Sequence, residues 1–266
     1  MNEVNKTLFI PLYGKALVSS QNKILKDPSA ERIWEAEGFL LHGKAKSKWL
    51  AYNMAMRARV FDDWTDAMLA DNQDALVLHV GCGLDSRYQR VKQSYGLWID
   101  CDLEDVISIR RKYYEETEKY RMKALDATVS EQIRLLPESK TAIVVLEGIS
   151  MYLSNEQLQE FFKTLQEKYE TLHILMDVYT KFGAKASKYK NPVNDVGVTK
   201  LYGIDDIEGF LGNLRIYLKK EHSFTPKKLV DELNTFDRKF FEMMFTGRIY
   251  GKIYRLYELT KKKLPQ

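Results

Sequence analysis

The sequence is poor in the residues that build disulfide frameworks and metal centres. Its 266 residues include two cysteines, Cys82 and Cys101, and four scattered histidines. These are too few for the ligand clusters that hold structural metals, so we expect no metal site. Both thiols are expected to be reduced, as in a cytosolic protein.

Long apolar runs and blocks of one charge are also missing. No segment approaches the length of a membrane span, and no signal peptide is recognisable. The 41 lysines and arginines exceed the 37 aspartates and glutamates by only four, and the basic residues are dispersed. We therefore expect a cytoplasmic protein that binds neither membranes nor nucleic acids. Its oligomeric state is not predictable from the sequence.

The chain is organised around an apolar segment that ends in a glycine turn. Residues 76–80 (Leu-Val-Leu-His-Val) continue directly into Gly81-Cys82-Gly83. Such a run is typical of a strand buried in a parallel sheet. Glycine frees the backbone and removes Cβ atoms, so a flat ligand can approach the main chain. A plain turn is the alternative interpretation of this short pattern.

The residues after the glycines indicate the kind of nucleotide. A second strand-like run, residues 95–99, leads into Asp100 and Asp102, and a carboxylate there can accept hydrogen bonds from both ribose hydroxyls. Dinucleotide sites usually have a third glycine and a helix start that is open to a pyrophosphate. Here Ser86 takes the third position and Asp85 adds negative charge. The combination favours a nucleoside without phosphates, such as S-adenosylmethionine, over NAD.

Strand-like and helix-like runs then alternate. Further strands are predicted at residues 120–124, 141–148 and 172–176, and later ones at 214–224 and 253–259. Four to five successive β–α units predict a doubly wound, mostly parallel sheet with right-handed crossovers. The final strand is expected to lie beside the sixth.

The region before the sheet is predicted to contain an apolar arm and two helices. The arm, residues 7–15, is interrupted by a proline and a glycine. Asp27 and Pro28 fit the N-cap and first turn of a helix, and Gly38 fits its end. A longer helix over residues 47–70 carries an apolar stripe that is typical of core packing.

Two arginines, Arg57 and Arg59, interrupt that stripe. Either at least one of them points inward to a charged partner, or both occupy ordinary surface positions.

Acidic residues follow the third and fourth strands. Asp126 and Ala127 can contact an adenine amino group or simply cap a helix. Glu147 ends the fourth strand at the carboxyl edge, where ligands of open parallel sheets bind. Burying an unpaired carboxylate is costly, so we predict a functional role for Glu147.

Together, these motifs resemble the leucine carboxyl methyltransferase superfamily, in particular its bacterial branch of polyketide O-methyltransferases. The resemblance covers nearly the whole chain. It is carried by Ile10-Pro11-Leu12-Tyr13-Gly14, Asp27-Pro28, residues 57–62, Gly81-Cys82-Gly83-Leu84-Asp85-Ser86-Arg87, Asp100-Cys101-Asp102-Leu103 and Glu147-Gly148-Ile149-Ser150-Met151-Tyr152-Leu153. Cys82, Ser86 and Glu104 stand where alanine, threonine and proline are usual.

The resemblance implies an α/β fold of the Rossmann-like, class I methyltransferase type. Its doubly wound, mostly parallel sheet would have seven strands, an N-terminal helical extension and a C-terminal helical insertion. Residues 1–266 would form a single domain. Within it, residues 1–70 would form a lid, 71–180 the cofactor-binding core, and 181–266 the substrate-side region with the closing strands.

The resemblance also implies S-adenosylmethionine as cofactor and S-adenosylhomocysteine as product. Arg57 would pair with the methionine carboxylate, with Lys15 as a weaker second partner. Gly81 and Gly83 would pass beneath the methionine and ribose, while Glu147 would lie near the amino group and the sulfonium.

The remaining implied contacts concern the nucleoside. Asp102 would bind the ribose hydroxyls, with Asp100 as the competing choice. Asp126 and Ala127 would contact the adenine.

The expected reaction is O-methylation of a small-molecule phenol or carboxylate. Methyl transfer is an in-line displacement on an activated carbon, so positioning and exclusion of water supply most of the acceleration. A base is needed only when the acceptor must lose a proton, and no residue is assigned that role. Residues 236–257, with residues 9–13 and Tyr152, either line a pocket for a flat acceptor or pack ordinarily.

Two other functions remain compatible with the residues themselves. The glycine turn and Asp102 also permit an NAD-dependent oxidoreductase. The same site also permits a nucleoside-binding regulatory module without turnover.

Overall fold

The computed structural model describes residues 8–37, 46–190, 200–246 and 250–261, the side chains of 188–190 excepted. Within these ranges, three helices precede the sheet: α1 (Phe9–Ser20), α2 (Pro28–Glu37) and α3 (Lys48–Asp71). The central part comprises β1 (Leu76–Val80), α4 (Arg87–Arg90), β2 (Leu97–Asp102), α5 (Glu104–Arg110), β3 (Tyr120–Ala124), α6 (Ser130–Arg134), β4 (Thr141–Leu146), a helical turn (Ser150–Tyr152), α7 (Asn155–Lys168) and β5 (Thr171–Tyr179). The last part comprises α8 (Lys181–Lys190), α9 (Ile207–Leu211), β6 (Tyr217–His222), α10 (Lys227–Val230), α11 (Thr235–Phe245) and β7 (Tyr254–Lys261).

The seven strands form one sheet in the order β3-β2-β1-β4-β5-β7-β6. Strands β1 to β5 are parallel, and β7 runs antiparallel between β5 and β6. The predicted doubly wound, mostly parallel sheet is therefore confirmed, as is a final strand beside the sixth. The strand order reverses at β1 and β4, and ligands of open α/β sheets bind at such a reversal.

The sheet is buried because both of its faces are covered. Successive residues of β1 point to opposite faces, so Leu76, Leu78 and Val80 join one apolar cluster and Val77 joins the other. The cluster around Val77 includes residues of α1, α2 and α3. The N-terminal helices thus pack on one face of the sheet and reach its carboxyl edge.

The predicted start of α2 is observed. Asp27 Oδ1 accepts a hydrogen bond from the Ala30 amide at 2.9 Å, as expected for an N-cap before Pro28. Helices α4 and α5 are short and end at Arg90 and Arg110. Gly38, the predicted end of α2, lies outside the described residues.

The predicted irregular arm is wrong, because residues 9–20 form helix α1. Pro11 lies in the first turn, where a backbone N–H has no partner within the helix, so the proline costs little. Gly14 faces α3, and a Cβ there would lie 3.2 Å from both Ala51 Cα and Met54 Cβ. The glycine therefore allows the two helices to approach closely.

Among the described residues, no helix has both the length and the apolar character needed to cross a bilayer. The two cysteines are buried free thiols.

We predict that Gly14→Val lowers the free energy of unfolding by about 1–3 kcal/mol, because the added side chain must separate α1 from α3. Urea denaturation measures this change. Gly251→Val is the matched control, since no described atom lies within 4 Å of its added Cβ. Equal effects at both positions would contradict close packing of α1 on α3.

Candidate active site

A cavity of about 280 Å³ lies at the carboxyl edge of the sheet, beside β1 and β4. The glycine turn after β1 and Glu147 after β4 form its floor. Helix α1 contributes Ile10, Leu12 and Lys15 to the wall, while α3 contributes residues that include Arg57. The cavity is thus enclosed between the sheet edge and the N-terminal helices.

The glycine turn has a backbone that favours glycine. Gly81 and Gly83 have φ values of +71° and +52°, both in the left-handed region. A Cβ at Gly81 would lie 2.8 Å from Ile149 Cδ1, and one at Gly83 would lie 3.0 Å from Leu8 Cδ2. The turn is therefore closely covered by side chains of the neighbouring elements.

Arg57 is the arginine of α3 that points inward. Its Nε donates to Glu147 Oε1 at 3.0 Å, and its Nη1 donates to Asp177 Oδ2 at 3.1 Å and to the Tyr254 hydroxyl at 2.9 Å. Arg59, two residues later, is about one-third exposed and pairs with Asp63. The alternative of an inward arginine with charged partners is therefore the one observed.

A second buried arginine, Arg87, joins the same carboxylates. Its Nη1 donates to Asp62 at 2.7 Å, and its Nη2 contacts Asp85 at 3.1 Å and also Glu147. Glu147 thus lies between Arg57 and Arg87, with one oxygen on each. The Glu147 carboxylate is therefore not buried unpaired, since two protein arginines balance its charge, and its functional role stays a prediction.

The Asp85 carboxylate is paired with three cations, so it is not an unpaired negative charge at the start of a helix. It lies 2.9 Å from Lys15 Nζ and 2.8 Å from Arg90 Nη1, besides its contact with Arg87. Arg90 in turn binds Asp62. The helix that follows Asp85 has only four residues.

We call these residues the charged network. It consists of Lys15, Arg57, Arg87, Arg90, Asp27, Asp62, Asp85, Glu147 and Asp177. Every side chain of the network is at least nine-tenths buried, and the most exposed are those of Arg57 and Arg90 at 7%. With every member ionised, the network has four cations and five carboxylates.

Burial and pairing act in opposite directions on the carboxyl groups. Burial opposes ionisation of Asp85, but Arg90, Lys15 and Arg87 outweigh it and hold the Asp85 pKa well below its usual value. The pKa of Glu147 is likewise lowered, since Arg57 and Arg87 outweigh its burial. For Asp177, burial outweighs the pull of Arg57 and raises the pKa. Asp177 is therefore the carboxyl group of these three that the fold least favours in its charged form.

The two aspartates of β2 have different surroundings. Asp100 is fully buried and its carboxylate is engaged by His79, the Trp98 indole N–H, Arg110 and the Tyr120 hydroxyl. Its partners Arg110 and His79 contribute to a lowered pKa despite burial. This carboxylate is a structural anchor.

Asp102 is partly exposed, and its carboxylate accepts hydrogen bonds only from backbone amides in the described part of the chain. Its Oδ2 accepts from the Gly83 amide and its Oδ1 from the Leu103 amide, both at 2.8 Å. Burial outweighs these bonds and raises its pKa.

The residues predicted to meet adenine are set apart from the cavity wall. Asp126 Oδ1 accepts from the Thr128 amide and hydroxyl at 2.8 and 2.7 Å, which closes a local turn after β3. Ala127 is buried in the apolar cluster on the sheet face away from Val77. Neither residue belongs to the lining of the cavity, whereas Lys15, Arg57, Gly81, Gly83 and Glu147 all do.

Several site residues were not assigned roles from the sequence. Arg87 was visible in the glycine motif, and Asp177 was visible at the predicted end of β5, but neither position revealed its partners. Tyr254 lies near the start of the last strand and reaches the cavity because β7 inserts next to β5. Only the topology could have indicated that contact.

Some aromatic residues of the segment 236–257 line the cavity, whereas others pack in the core or lie at the surface. Phe245, Tyr250 and Tyr254 line the cavity. Phe241 is core, and Phe236 is 74% exposed.

Comparison with known proteins identifies the class and then the family. The fold matches structures of S-adenosylmethionine-dependent methyltransferases. One, from Mesorhizobium loti, has a TM-score of 0.52 and 14% identity, and the match covers 75% of this chain and 97% of that one. Another, magnesium protoporphyrin IX methyltransferase from Synechocystis with bound S-adenosylmethionine, has a TM-score of 0.52 and 12% identity, and the match covers 87% of this chain and 90% of that one. The leucine carboxyl methyltransferase family model matches residues 6–166. The chain belongs to this family.

Two curated relatives are similar over most of the chain. The tetracenomycin polyketide synthesis O-methyltransferase TcmP of Streptomyces glaucescens is 30% identical over 203 residues, covering 76% of this chain and 75% of the relative. The S-adenosyl-L-methionine-dependent methyltransferase dpfgK of Gibberella zeae is 25% identical over 226 residues, with the same shares covered. The family resemblance stated from the motifs is confirmed, and neither the oxidoreductase nor the regulatory module gains support.

We predict that Arg87→Met lowers the free energy of unfolding by about 3–5 kcal/mol, because three buried carboxylates lose a cation. Arg134→Met is the control. Its pair with Glu131 is exposed, so its loss should change stability by about 0.5 kcal/mol or less. Urea titrations of both variants test this, and a mild effect at Arg87 would contradict a network held by mutual pairing.

Stability should also depend on the charge of Asp85. A carboxyl group whose pKa is lower in the folded state stabilises the protein above its unfolded pKa, and this contribution is lost as pH falls through the folded pKa. We expect the wild type to be more stable than Asp85→Asn at neutral pH, with the difference shrinking from about pH 5 downward. Thermal unfolding across pH measures it, and a constant difference would contradict the lowered pKa of Asp85.

Proposed function

We propose that this methyltransferase transfers a methyl group to an oxygen of a small-molecule phenol or carboxylate. Its cofactor is S-adenosylmethionine, which supplies a methyl group activated by a sulfonium. The observation that carries the proposal is the cavity itself. One part of its wall is charged and centred on Arg57 and Glu147, while another part is aromatic and apolar.

The charged part suits the methionine end of the cofactor. A guanidinium is the preferred partner of a carboxylate, and carboxylates are suitable partners for an ammonium group. Arg57 Nη2 makes no hydrogen bond to the described residues, although Nε and Nη1 do. We therefore assign Arg57 to the methionine carboxylate and Glu147 to the ammonium and sulfonium, with Lys15 as a second cation.

The charge balance of the network supports the same assignment. S-adenosylmethionine has two positive groups and one negative group, so it is a net cation. The network has one carboxylate more than it has cations, and a net cation nearby offsets that surplus. A ligand with phosphates would increase the surplus of negative charge. The buried charges thus fit the sulfonium nucleoside better than NAD.

For the nucleoside we assign Gly81 and Gly83 to the methionine and ribose region and Asp102 to the ribose hydroxyls. Each carboxylate oxygen has two acceptor sites, so the single backbone bond on each Asp102 oxygen leaves capacity for a ligand. Asp100 has four side-chain partners and little such capacity. Asp126 and Ala127 remain our candidates for the adenine, at the next strand along the edge.

The N-terminal helices are proposed to act as the lid. Within residues 1–70, α1 and α3 supply the wall that faces the sheet edge, and the Lys15–Asp85 ion pair joins α1 to the glycine turn. Residues 71–180 would bind the cofactor, and 181–266 would provide the acceptor side and the closing strands. Enclosure excludes water from the reacting groups.

The acceptor is proposed to be a flat molecule, because the lining includes Met151, Tyr152, Phe245, Tyr250 and Tyr254. O-methylation is supported by the relationship to the tetracenomycin O-methyltransferase. Direct in-line transfer requires the two reactants to be held in line, which this chain achieves by binding and orientation. A carboxylate acceptor needs no base, whereas a phenol would have to lose its proton.

We predict that the protein binds S-adenosylhomocysteine and that Arg57→Ala weakens this binding roughly tenfold to a hundredfold, because a buried carboxylate loses its charged partner. Arg57→Lys should be intermediate, since it retains charge without the planar geometry. Asp102→Ala should weaken binding roughly tenfold by removing acceptors for the ribose. Isothermal titration calorimetry measures each affinity, with NAD as the negative ligand.

Arg59→Ala is the matched control on the same helix, and its affinity should equal that of the wild type. Asp100→Ala should lower the melting temperature, because it removes the anchor of Arg110 and Tyr120. If Asp100→Ala instead weakens binding at an unchanged melting temperature, the assignment of the ribose to Asp102 is wrong. Failure of the wild type to bind S-adenosylhomocysteine would contradict the proposed function.

A further inference from the structure

One buried polar group in the cavity wall is not accounted for by the cofactor. Asn53 lies on α3 one turn before Arg57, lines the cavity and is 4% exposed. Its Oδ1 accepts a hydrogen bond from the Tyr250 hydroxyl at 3.0 Å. Its amide nitrogen, Nδ2, is buried and has no hydrogen-bond partner among the described residues.

A buried amide donor without a partner is costly, so it requires an explanation. The bond from Tyr250 fixes the amide by holding its oxygen, and both N–H groups are then left unsatisfied. Because Asn53 forms part of the cavity wall, a molecule in the cavity is the natural partner. The unmet requirement is for a hydrogen-bond acceptor on that molecule.

The surroundings of Asn53 are those of the apolar part of the cavity. Leu50 and Met54 flank it on α3, and Tyr250 packs edge-on against Phe245 and Phe224. A few polar groups in an otherwise apolar pocket usually fix the orientation of the ligand.

The hydroxyl protons of Tyr250 and Tyr254, which neighbour Asn53 and Arg57, are not available to a ligand. The Tyr250 hydroxyl donates to Asn53, and the Tyr254 hydroxyl donates to Asp177 while it accepts from Arg57. Both tyrosine protons are therefore engaged within the protein, and the Asn53 amide remains available to a ligand.

We propose that Asn53 determines acceptor specificity by donating a hydrogen bond to a carbonyl or carboxylate oxygen on a flat aromatic acceptor. This inference rests on the proposed function, because it assigns the apolar part of the same cavity to the methyl acceptor. A plain phenol has no such additional oxygen and would leave the amide unsatisfied. A carbonyl or carboxylate next to the hydroxyl satisfies it.

The test compares three probes on protein saturated with S-adenosylhomocysteine: α-naphthol, its ortho-acetyl derivative and its ortho-carboxylate. Calorimetry gives the dissociation constant of each. We expect both oxygen-bearing probes to bind the wild type roughly tenfold tighter than α-naphthol, the range of one added hydrogen bond. Asn53→Leu, which has similar volume and no donor, should remove this preference.

Asn53→Asp distinguishes the two sources of the oxygen. The substitution retains an acceptor for the Tyr250 hydroxyl but replaces the donor with a carboxylate. The acetyl probe should lose its preference, and the carboxylate probe should fall below α-naphthol because like charges repel. Asn213→Leu, at an exposed position, is the control and should behave as the wild type.

Affinity for S-adenosylhomocysteine separates this inference from the function on which it rests. Asn53→Leu, which adds no charge beside Arg57, should bind it as the wild type does. The inference is overturned if the wild type binds none of the probes or shows no preference, if Asn53→Leu keeps the preference, or if Asn53→Leu loses cofactor and probe affinity together. Loss of cofactor binding in the wild type itself would instead overturn the proposed function.

Discussion

The fold and the site both depend on the pairing of buried charges at the carboxyl edge of the sheet. Glu147 follows β4 and binds one arginine from α3 and another from α4, so a single carboxylate joins three segments that are distant in the chain. Charges removed from water must be paired closely to be tolerated. Displacing any one of these segments would leave an unpaired charge, and the network therefore specifies how the N-terminal helices sit on the sheet.

The backbone around the charged network also helps to compensate its buried carboxylates. Gly148 has a φ of +73°, and its amide donates to Asp177 Oδ1 at 2.7 Å. A Cβ at this position would approach Arg57 Nη2 to 3.4 Å, which is ordinary contact, so conformation rather than space selects glycine. The turn after β4 thereby brings the Gly148 amide to the buried carboxylate of Asp177. This bond adds to the stabilisation by Arg57, which burial outweighs, so the pKa of Asp177 is raised.

The sequence predicted the sheet well because burial leaves a local pattern. Apolar runs such as residues 141–146 mark parallel strands wherever they lie, and acids at strand ends fall on one edge by topology. Ion-pair partners have no such pattern, since Arg57 and Glu147 are far apart in the chain and belong to different elements. Helix α1 was missed for a related reason: the effect of Gly14 depends on the helix it faces, and that contact appears only in three dimensions.

One helix sets the geometry of both parts of the cavity. Asn53 and Arg57 are four residues apart on α3, so they lie on one face and are separated by about one turn, roughly 5–6 Å along the axis. Arg57 is fixed by Glu147 and Asp177, which prevents α3 from sliding along the sheet edge. The distance between the charged part and the Asn53 amide is therefore fixed by the helix repeat. The proposed in-line transfer to an acceptor at Asn53 would depend on this distance, because a misplacement of about 1 Å can slow a reaction roughly a hundredfold.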